Sequence, residues 1–368
     1  MIEIIGRAVV GEKVSLFSEV EKMGHEQVVI CNDNETGLKA IIAIHNTVLG
    51  PAMGGTRMWS YATDEEAWTD ALRLSRGMTL KNSIAGLNLG GGKAVIIGDA
   101  AKLKNEALMR RFGKFVNSLG GKYWTAEDVN MSTRDMEYIR METPYVTGMP
   151  ESRGGGGDPS PVTAYGVYMG MKAASKKTFG SESLEGKNVM VQGVGNVGTY
   201  LVDYLKKENA KIFISDFSEN KLKHVSEKYG ATVVPMEEVY NVNCDIYAPC
   251  ALGATLNDQN IASLKCRVVA GGANNQLLDE KRHGEMLVER DIVYAPDFLI
   301  NGGGITNCYF EYTGDYNRSS VMTQTERIYD TTLKVLNHAE ENNSTPQQSA
   351  IDIALERIEK IGKIKISL

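Results

Sequence analysis

Residues 189–205 constrain this 368-residue chain more than any other stretch. Val189-Met190-Val191-Gln192 is an apolar run, Gly193-Val194-Gly195-Asn196-Val197-Gly198 follows at once, and Leu201 and Leu205 continue at helical spacing. A bare GxGxxG is weak evidence. Between a strand and a helix it means more: the glycines permit a tight turn and bring a pyrophosphate close to the backbone at a helix N-terminus. Apolar runs recur at 212–215, 231–234, 246–248, 268–270 and 292–295, separated by helical segments. Six strands alternating with helices predict a doubly wound parallel sheet. Asp216 ends the second strand, 18 residues after Gly198. A carboxylate there accepts hydrogen bonds from ribose hydroxyls and repels a 2′-phosphate, which favours NAD over NADP. The cofactor residues predicted from this pattern are Gly193, Gly195, Asn196, Val197, Gly198 and Asp216. Two later strand ends face the same crevice, at Ala248-Pro249-Cys250 and at Asn274, whose amide suits a carboxamide partner.

The first half of the chain carries a different pattern. Residues 28–31 and 38–45 read as adjacent strands joined by the polar turn segment 32–37. The loop 50–59 contains three glycines, and from Thr63 the segment TDEEAWTDALRLSRGM has a cap, acids in its first turn and apolar residues at helical spacing. Lys81 is expected just past the end of that helix. Gly90-Gly91-Gly92 then leads to Lys93, and Ala94-Val95-Ile96-Ile97 reads as a buried strand. An ammonium placed there loses hydration, which disfavours its charged form and suits it to work as a base near neutral pH. Residues 105–119 form a second amphipathic helix ended by Gly120-Gly121. Asp128 stands at the C-terminal end of the short strand 123–126, a common place for site residues in open α/β sheets. A helix over 133–142 takes Ser132 as its cap.

A run of four glycines, 154–157, marks a linker, hinge or ligand loop between the halves. Asp158-Pro159-Ser160-Pro161 opens the next helix, with Ser160 as cap. Beyond Ser319 two long helical segments close the chain, broken at 342–346.

Length and composition narrow the classes. A chain of this size suits two domains. Forty basic residues against 46 acidic ones give a net charge of −6 without a basic run, which argues against nucleic acid and anionic membrane as partners. No apolar run could span a bilayer, and the start, MIEIIGRAVVGEKVSL, lacks a signal peptide's continuous apolar region. A cytoplasmic protein is expected. Five cysteines at wide spacings show no metal-ligand pattern and no disulfide framework, so no metal is expected. Two lysines, an aspartate and a dinucleotide fold together suggest hydride transfer at a carbon bearing nitrogen.

The stretches LGPAMGGTRMW, GMTLKNSIAGLNLGGGKAVIIGD, TAEDV, DPSPVTAYGVYMGMKAA, VQGVGNVG, CDIYAPCALGATLN and AGGANNQL give the chain a strong resemblance to the Glu/Leu/Phe/Val dehydrogenase family, over nearly its whole length. The resemblance implies reversible oxidative deamination of a branched-chain L-amino acid, leucine, valine or isoleucine, with NAD as acceptor. It implies that Lys81 binds the substrate carboxylate, that Lys93 activates water, and that Asp128 exchanges protons with the substrate nitrogen. Gly54 and Gly55 would line the substrate loop, Thr163 would lie by the nicotinamide, and Asn274 would hold substrate or carboxamide. The family's side-chain pocket maps onto Met53, Ala126, Ile305 and Cys308, small or aliphatic residues without a cation for an acidic substrate. Implied too are a catalytic and oligomerisation domain of residues 1–147 with about 343–368, an NAD-binding domain of 148–342, and a homo-octamer. The sequence departs from the family pattern at Asn130, Gly302 and Thr306, and its tail after Ile361 is short. The competing readings are an enzyme of the same family acting on phenylalanine and a dinucleotide-binding regulator without turnover.

Overall fold

The computed structural model describes residues 16–366. The first fifteen, on which the absence of a signal-peptide pattern was read, lie outside the described residues, as do the last two. In the first half α1 (Leu16–Met23), β1 (Gln27–Asp33), β2 (Leu38–Asn46), β3 (Ala52–Met53), β4 (Thr56–Trp59), α2 (Asp64–Ile84), β5 (Gly90–Ile97), α3 (Ala100–Leu103), α4 (Glu106–Ser118), β6 (Tyr123–Trp124) and α5 (Thr133–Arg140) follow in order. Their sheet runs β1-β2-β5-β3-β6, with β4 continuing alongside β5.

β1 and β2 are the expected adjacent strands, paired antiparallel in register from Gln27↔Ile44 to Asp33↔Leu38. Asp33 closes their turn by accepting from the Thr36 backbone N–H at 3.0 Å and hydroxyl at 2.7 Å. Because both faces of this sheet are covered, residues 40–44 of β2 and 94–97 of β5 are continuous apolar runs instead of alternating with polar residues. Ile42, Ile44, Ala94 and Ile96 pack with Leu108, Met109, Phe112 and Val116 of α4 and with Met136 and Ile139 of α5. Ile41, Ala43 and Val95 face the other way, onto Ala67, Trp68, Ala71 and Leu72 of α2. Lys93 lies two residues before Val95 in the strand, so the pleat turns it to the α2 side.

Three expectations need correction here. The glycines 90–92 are not a loop leading to a strand; β5 begins at Gly90, and Lys93 sits in its interior. A Cβ on Gly91 would lie 2.1 Å from Thr79 of α2, and one on Gly92 2.7 Å from the Tyr123 ring, so these glycines admit α2 on one face and Tyr123 on the other. Lys81 does not follow its helix but belongs to the last turn of α2, which runs on to Ile84. Within the loop 50–59, β3 and β4 flank Gly54-Gly55; strands of two and four residues carry no readable periodicity.

The second half contains α6 (Ser160–Phe179), β7 (Asn188–Gln192), α7 (Asn196–Lys207), β8 (Lys211–Ser215), α8 (Glu219–Tyr229), β9 (Thr232–Val233), β10 (Ile246–Pro249), α9 (Asp258–Ser263), β11 (Val268–Val269), α10 (Glu280–Glu289), β12 (Val293–Tyr294), α11 (Asp297–Ile300), α12 (Gly303–Tyr312), α13 (Arg318–Glu326), α14 (Ile328–Glu341) and α15 (Pro346–Ile366). All six strands are parallel, in the order β9-β8-β7-β10-β11-β12. This is the doubly wound order whose switch point lies between β7 and β10. Ser160 is the first residue of α6 and not its cap, with its N–H donated to Asp158 at 2.9 Å. The closing segment has three helices, because the chain also breaks at Arg327.

α2 ties the halves together. Its N-terminal part packs on the first sheet, whereas Leu80 and Ile84 enter the core of the second, with Val167 of α6 and Ala354 of α15. Arg357 of α15 donates to the Leu87 carbonyl at 2.8 Å and the Ser83 carbonyl at 3.2 Å, holding the end of α2. The four-glycine run is tied down at Gly156: Glu311 of α12 accepts its N–H at 3.1 Å along with those of Gly148 and Met149, just before the run, at 2.9 and 3.0 Å. No helix among the described residues is long and apolar enough to cross a membrane.

At the base of the first sheet, His45 donates from Nε2 to the Met23 carbonyl at 2.9 Å and shares a hydrogen bond at Nδ1 with the Thr79 hydroxyl at 2.7 Å, with His25 edge-on at 4.8 Å. Burial lowers the His45 pKa to about 4 and lowers His25 as well. The unfolded chain therefore takes up a proton, with an ordinary pKa near 6.5, that the folded one refuses until about pH 4. This stabilisation is complete above pH 6.5 and is lost as the pH falls toward 4. Urea titrations at pH 7 and pH 5 check it: the wild type should lose about 2 kcal/mol between them, and His45→Gln should lose measurably less.

Candidate active site

The site lies where β5, the β3–β4 turn, the segment after β6 and the end of α2 converge. Lys93 is held inside β5 with 7% of its side chain exposed, and its ammonium lies 2.8 Å from Oδ2 of Asp128. Asp128 follows the bridge between Thr56 and Glu127 that continues β6 alongside β4. The glycine pair between β3 and β4 lets these segments meet. A Cβ on Gly54 would stand 1.8 Å from the Gly92 carbonyl, and one on Gly55 2.4 Å from the Glu127 carbonyl and 3.0 Å from the Asp128 side chain.

Burial raises the Asp128 carboxyl, but Lys93 and Arg57 outweigh it and hold the group below the usual carboxylate range. Arg57 donates from Nε to the same Oδ2 at 3.1 Å. The desolvated lysine expected at position 93 thus has an anionic partner that the sequence did not reveal. Burial acts plainly on Lys81, whose pKa it lowers to about 8 against the opposing pull of Asp297. The Lys81 ammonium donates to Asn274 Oδ1 at 3.0 Å, which also accepts from Asn301 at 2.8 Å. This contact joins α2 to the loop after β11, across the cleft between the two sheets. Asp297 is itself buried, its carboxyl raised by burial, and it accepts the Gln276 N–H at 3.0 Å.

The four pocket positions come together. Met53, Ala126, Ile305 and Cys308 form one buried cluster with Leu87 and Leu89, and Met78, Trp124, Tyr309 and Tyr312 pack against it. Trp124 meets Tyr312 edge-on at 4.9 Å, giving the cluster an aromatic wall. These extra members come from α2 and the segment after it, β6 and α12, too far apart in the chain to be grouped by any periodicity. Two family departures also have an account. Asn130 has φ 60, where glycine is at ease and asparagine is tolerated, and donates to the Met58 carbonyl at 3.0 Å. The Thr306 hydroxyl donates to the Gly302 carbonyl at 3.0 Å, so those two altered positions touch.

On the second sheet the GxGxxG turn has the shape a dinucleotide requires. Gly193 has φ 98, and a Cβ there would lie 2.7 Å from Ala251; a Cβ on Gly198 would lie 2.0 Å from the Gly193 carbonyl. Gly195, by contrast, faces open space and caps α7 without a side-chain hydrogen bond, leaving the first N–H groups of that helix for an anion. Asn196 and Val197 open the helix. Asp216 accepts the Val194 N–H at 2.8 Å and the Ser218 N–H at 2.9 Å, which fixes its carboxylate at the end of β8. Ala248 and Pro249 lie in β10 beside β7, the Cys250 N–H donates to Gln192 at 2.7 Å, and Thr163 in the first turn of α6 lies against Gly304. These residues fit a dinucleotide cofactor across the switch point.

A first sheet carrying a buried lysine–aspartate pair, set against a doubly wound sheet with a phosphate-binding turn, defines a dinucleotide-dependent oxidoreductase. Residues 25–145 match the Glu/Leu/Phe/Val dehydrogenase dimerisation domain, and residues 154–219 and 213–364 match the Glutamate/Leucine/Phenylalanine/Valine dehydrogenase family. The chain is 54% identical to leucine dehydrogenase of Thermoactinomyces intermedius over 352 residues, 96% of each protein. It is 53% identical to leucine dehydrogenase of Geobacillus stearothermophilus over 96% of this chain and 95% of that one. The crystal structure of L-tryptophan dehydrogenase from Nostoc punctiforme superposes with a TM-score of 0.83 at 43% identity, covering 95% of this chain and 99% of that one. The chain belongs to the Glu/Leu/Phe/Val dehydrogenase family and is an amino-acid dehydrogenase that works with a nicotinamide cofactor.

The open face of Gly195 can be tested apart from the packed one of Gly193. Gly195→Ala should melt within about a degree of the wild type yet lose dinucleotide affinity tenfold or more, measured by NADH fluorescence. Gly193→Ala should lower stability by about 1–3 kcal/mol, since it adds both strain and overlap.

Proposed function

We propose that this enzyme catalyses the reversible, NAD-dependent oxidative deamination of leucine, valine and isoleucine to their 2-oxo acids and ammonia. The observation that carries this reading is the convergence of Lys81, Lys93 and Asp128 beside an apolar cluster that contains no cation. Lys81, mostly protonated at neutral pH with a pKa near 8, pairs with the substrate carboxylate, and the arriving anion strengthens its charged form. Met53, Ala126, Ile305 and Cys308 receive an aliphatic side chain. One methylene in such a pocket is worth about 1–3 kcal/mol, so all three branched-chain substrates are accepted.

Asp128 takes a proton from the substrate ammonium and leaves a neutral amine, the form from which the Cα hydride can depart. The bound dinucleotide supplies the hydride acceptor, held by Gly193, Gly195, Asn196, Val197 and Gly198 at its phosphates and by Ala248, Pro249, Cys250, Thr163 and Asn274 toward the nicotinamide. Lys93 then activates a water for attack on the imine carbon and stabilises the resulting carbinolamine. Asp128 returns its proton to nitrogen, and ammonia leaves as the carbonyl forms. Asp216 binds the ribose hydroxyls and repels a 2′-phosphate, which supports NAD as the preferred cofactor.

The assembly proposed is a homo-octamer, through the first sheet. Among the described residues β1 lies at the sheet edge with no further strand beside it and with Ile30 68% exposed, the kind of edge that another copy covers.

A substrate panel followed at 340 nm with both cofactors tests the reading. Leucine, valine and isoleucine should exceed phenylalanine and glutamate in kcat/KM, and a preference for phenylalanine would overturn the pocket assignment. Lys93→Ala should lower kcat by about two orders of magnitude or more while NADH still binds; near-normal turnover would remove Lys93 from the chemistry. Asp216→Ala should narrow the NAD-to-NADP ratio, and unchanged selectivity would assign the ribose to another residue.

A further inference from the structure

The Lys93–Asp128 pair is the inner end of a longer chain of charges. Arg57 projects from β4 with one edge of its guanidinium on Asp128 and the other on Asp70 of α2, where Nη1 donates to Oδ2 at 3.1 Å. That Asp70 oxygen also accepts from the Tyr61 hydroxyl at 2.7 Å, and Oδ1 pairs with Arg73 at 3.2 Å. Arg57, Asp128 and Asp70 keep only 23%, 22% and 14% of their side chains exposed, so the pairs are partly shielded from solvent. A planar guanidinium caught between two carboxylates has its orientation set by both.

The chemistry proposed for Asp128 places two demands on it. It must meet the substrate ammonium as a carboxylate, although burial favours the neutral acid. Its neighbour Lys93 must also change protonation state during water activation. A lysine and a carboxylate alone in a dry site can neutralise each other by passing one proton across, after which neither can act. Arginine does not surrender its proton in a protein. Its charge therefore stays against Oδ2 whichever form Lys93 takes. The other groups near Asp128 do not replace it: Lys81 is directed to Asn274, and the hydroxyls of Tyr61 and Tyr123 are donated to Asp70 and to the Gly54 carbonyl.

We propose that Arg57, braced by Asp70, is a positioning residue that keeps Asp128 charged and aligned to take the substrate's amine proton while Lys93 changes its own protonation state. This rests on the role given above to Asp128. The directions of titration agree. Burial opposes charge on both Arg57 and Asp128, yet their attraction, with that of Asp70, raises the arginine and, with Lys93, lowers the aspartate.

The test is the pH profile of kcat/KM for leucine oxidation in the intact enzyme and in Arg57→Gln, Arg57→Lys, Asp70→Asn and Asp128→Asn, with NADH binding followed by fluorescence. Arg57→Gln should move the acidic limb up by about one pH unit or more, with turnover at least tenfold down near neutrality, partly recovered at alkaline pH, and NADH affinity unchanged. Asp70→Asn should shift the limb the same way by less, and Arg57→Lys should fall between wild type and Arg57→Gln. An unmoved limb, or a loss of activity equal at every pH, overturns the proposal. Should Arg57→Gln fail to fold, Asp70→Asn and Arg57→Lys decide on the same criterion. Asp128→Asn separates the two claims: near-normal turnover there sinks the role of Asp128 itself, whereas an inactive Asp128→Asn beside unshifted Arg57 variants sinks only the inference about Arg57.

Discussion

A lysine ammonium inside a β-sheet has to be matched by charge or it will lose its proton, and the architecture of the first half of this protein follows from that requirement. Lys93 occupies the interior of β5, where the flanking apolar residues leave little water. Asp128 at 2.8 Å provides the compensating carboxylate, and Arg57 provides a second cation that holds that carboxylate in place. Bringing these groups together needs β4, β5 and the segment after β6 to approach more closely than side chains would permit. The glycines at 54, 55, 91 and 92 remove the obstruction, since a Cβ on any of them would overlap a neighbouring backbone or ring. Glycine content that looks like looseness in the sequence is compaction in the fold.

The second sheet solves a different problem with the same residue. Gly193 is packed against Ala251 and Gly198 against the Gly193 carbonyl, whereas Gly195 has nothing before it and α7 begins without a side-chain cap. Unsatisfied N–H groups at a helix start are costly unless an anion or water meets them, so the turn is built for a ligand's phosphates. The two sites share α2, whose first half belongs to one core and whose last turn enters the other, with Lys81 between. A shift of one sheet relative to the other therefore moves Lys81 with it, and its contact with Asn274 is the point where the sites meet.

The family motifs made the residues of the site legible well before their arrangement was. Lys81, Lys93, Asp128, Met53 and Ala126 stood out because they fall in the stretches that carry the family resemblance, whereas Ile305 and Cys308 lie outside those stretches and were placed only by mapping the family's pocket onto the chain. Arg57 stood in one of those motifs too, in TRMW, but a single arginine in a four-residue strand carries no sign of which carboxylates it will meet. Trp124 and Tyr312 are 188 positions apart, and nothing in either neighbourhood announces that they share a wall. The four-glycine run shows the opposite limit: as sequence it reads as a flexible join, yet Glu311, more than 150 residues further on, accepts the Gly156 N–H together with that of Gly148 and so ties the run to the chain before it.

Local order was decided by the sequence. Alternation of apolar runs with helical segments, turn glycines and capping residues is a short-range code, and it specified six parallel strands, the phosphate-binding turn and the start of the helix after Thr63, though not its extension past Lys81. What only the tertiary structure decided is charge balance: which cation faces which carboxylate, how burial lowers the Lys81 ammonium, and where a run of glycines is packed instead of free. Electrostatic energy depends on distance and on exclusion of water, and both are set by segments far apart in the chain, so no window along the sequence contains them.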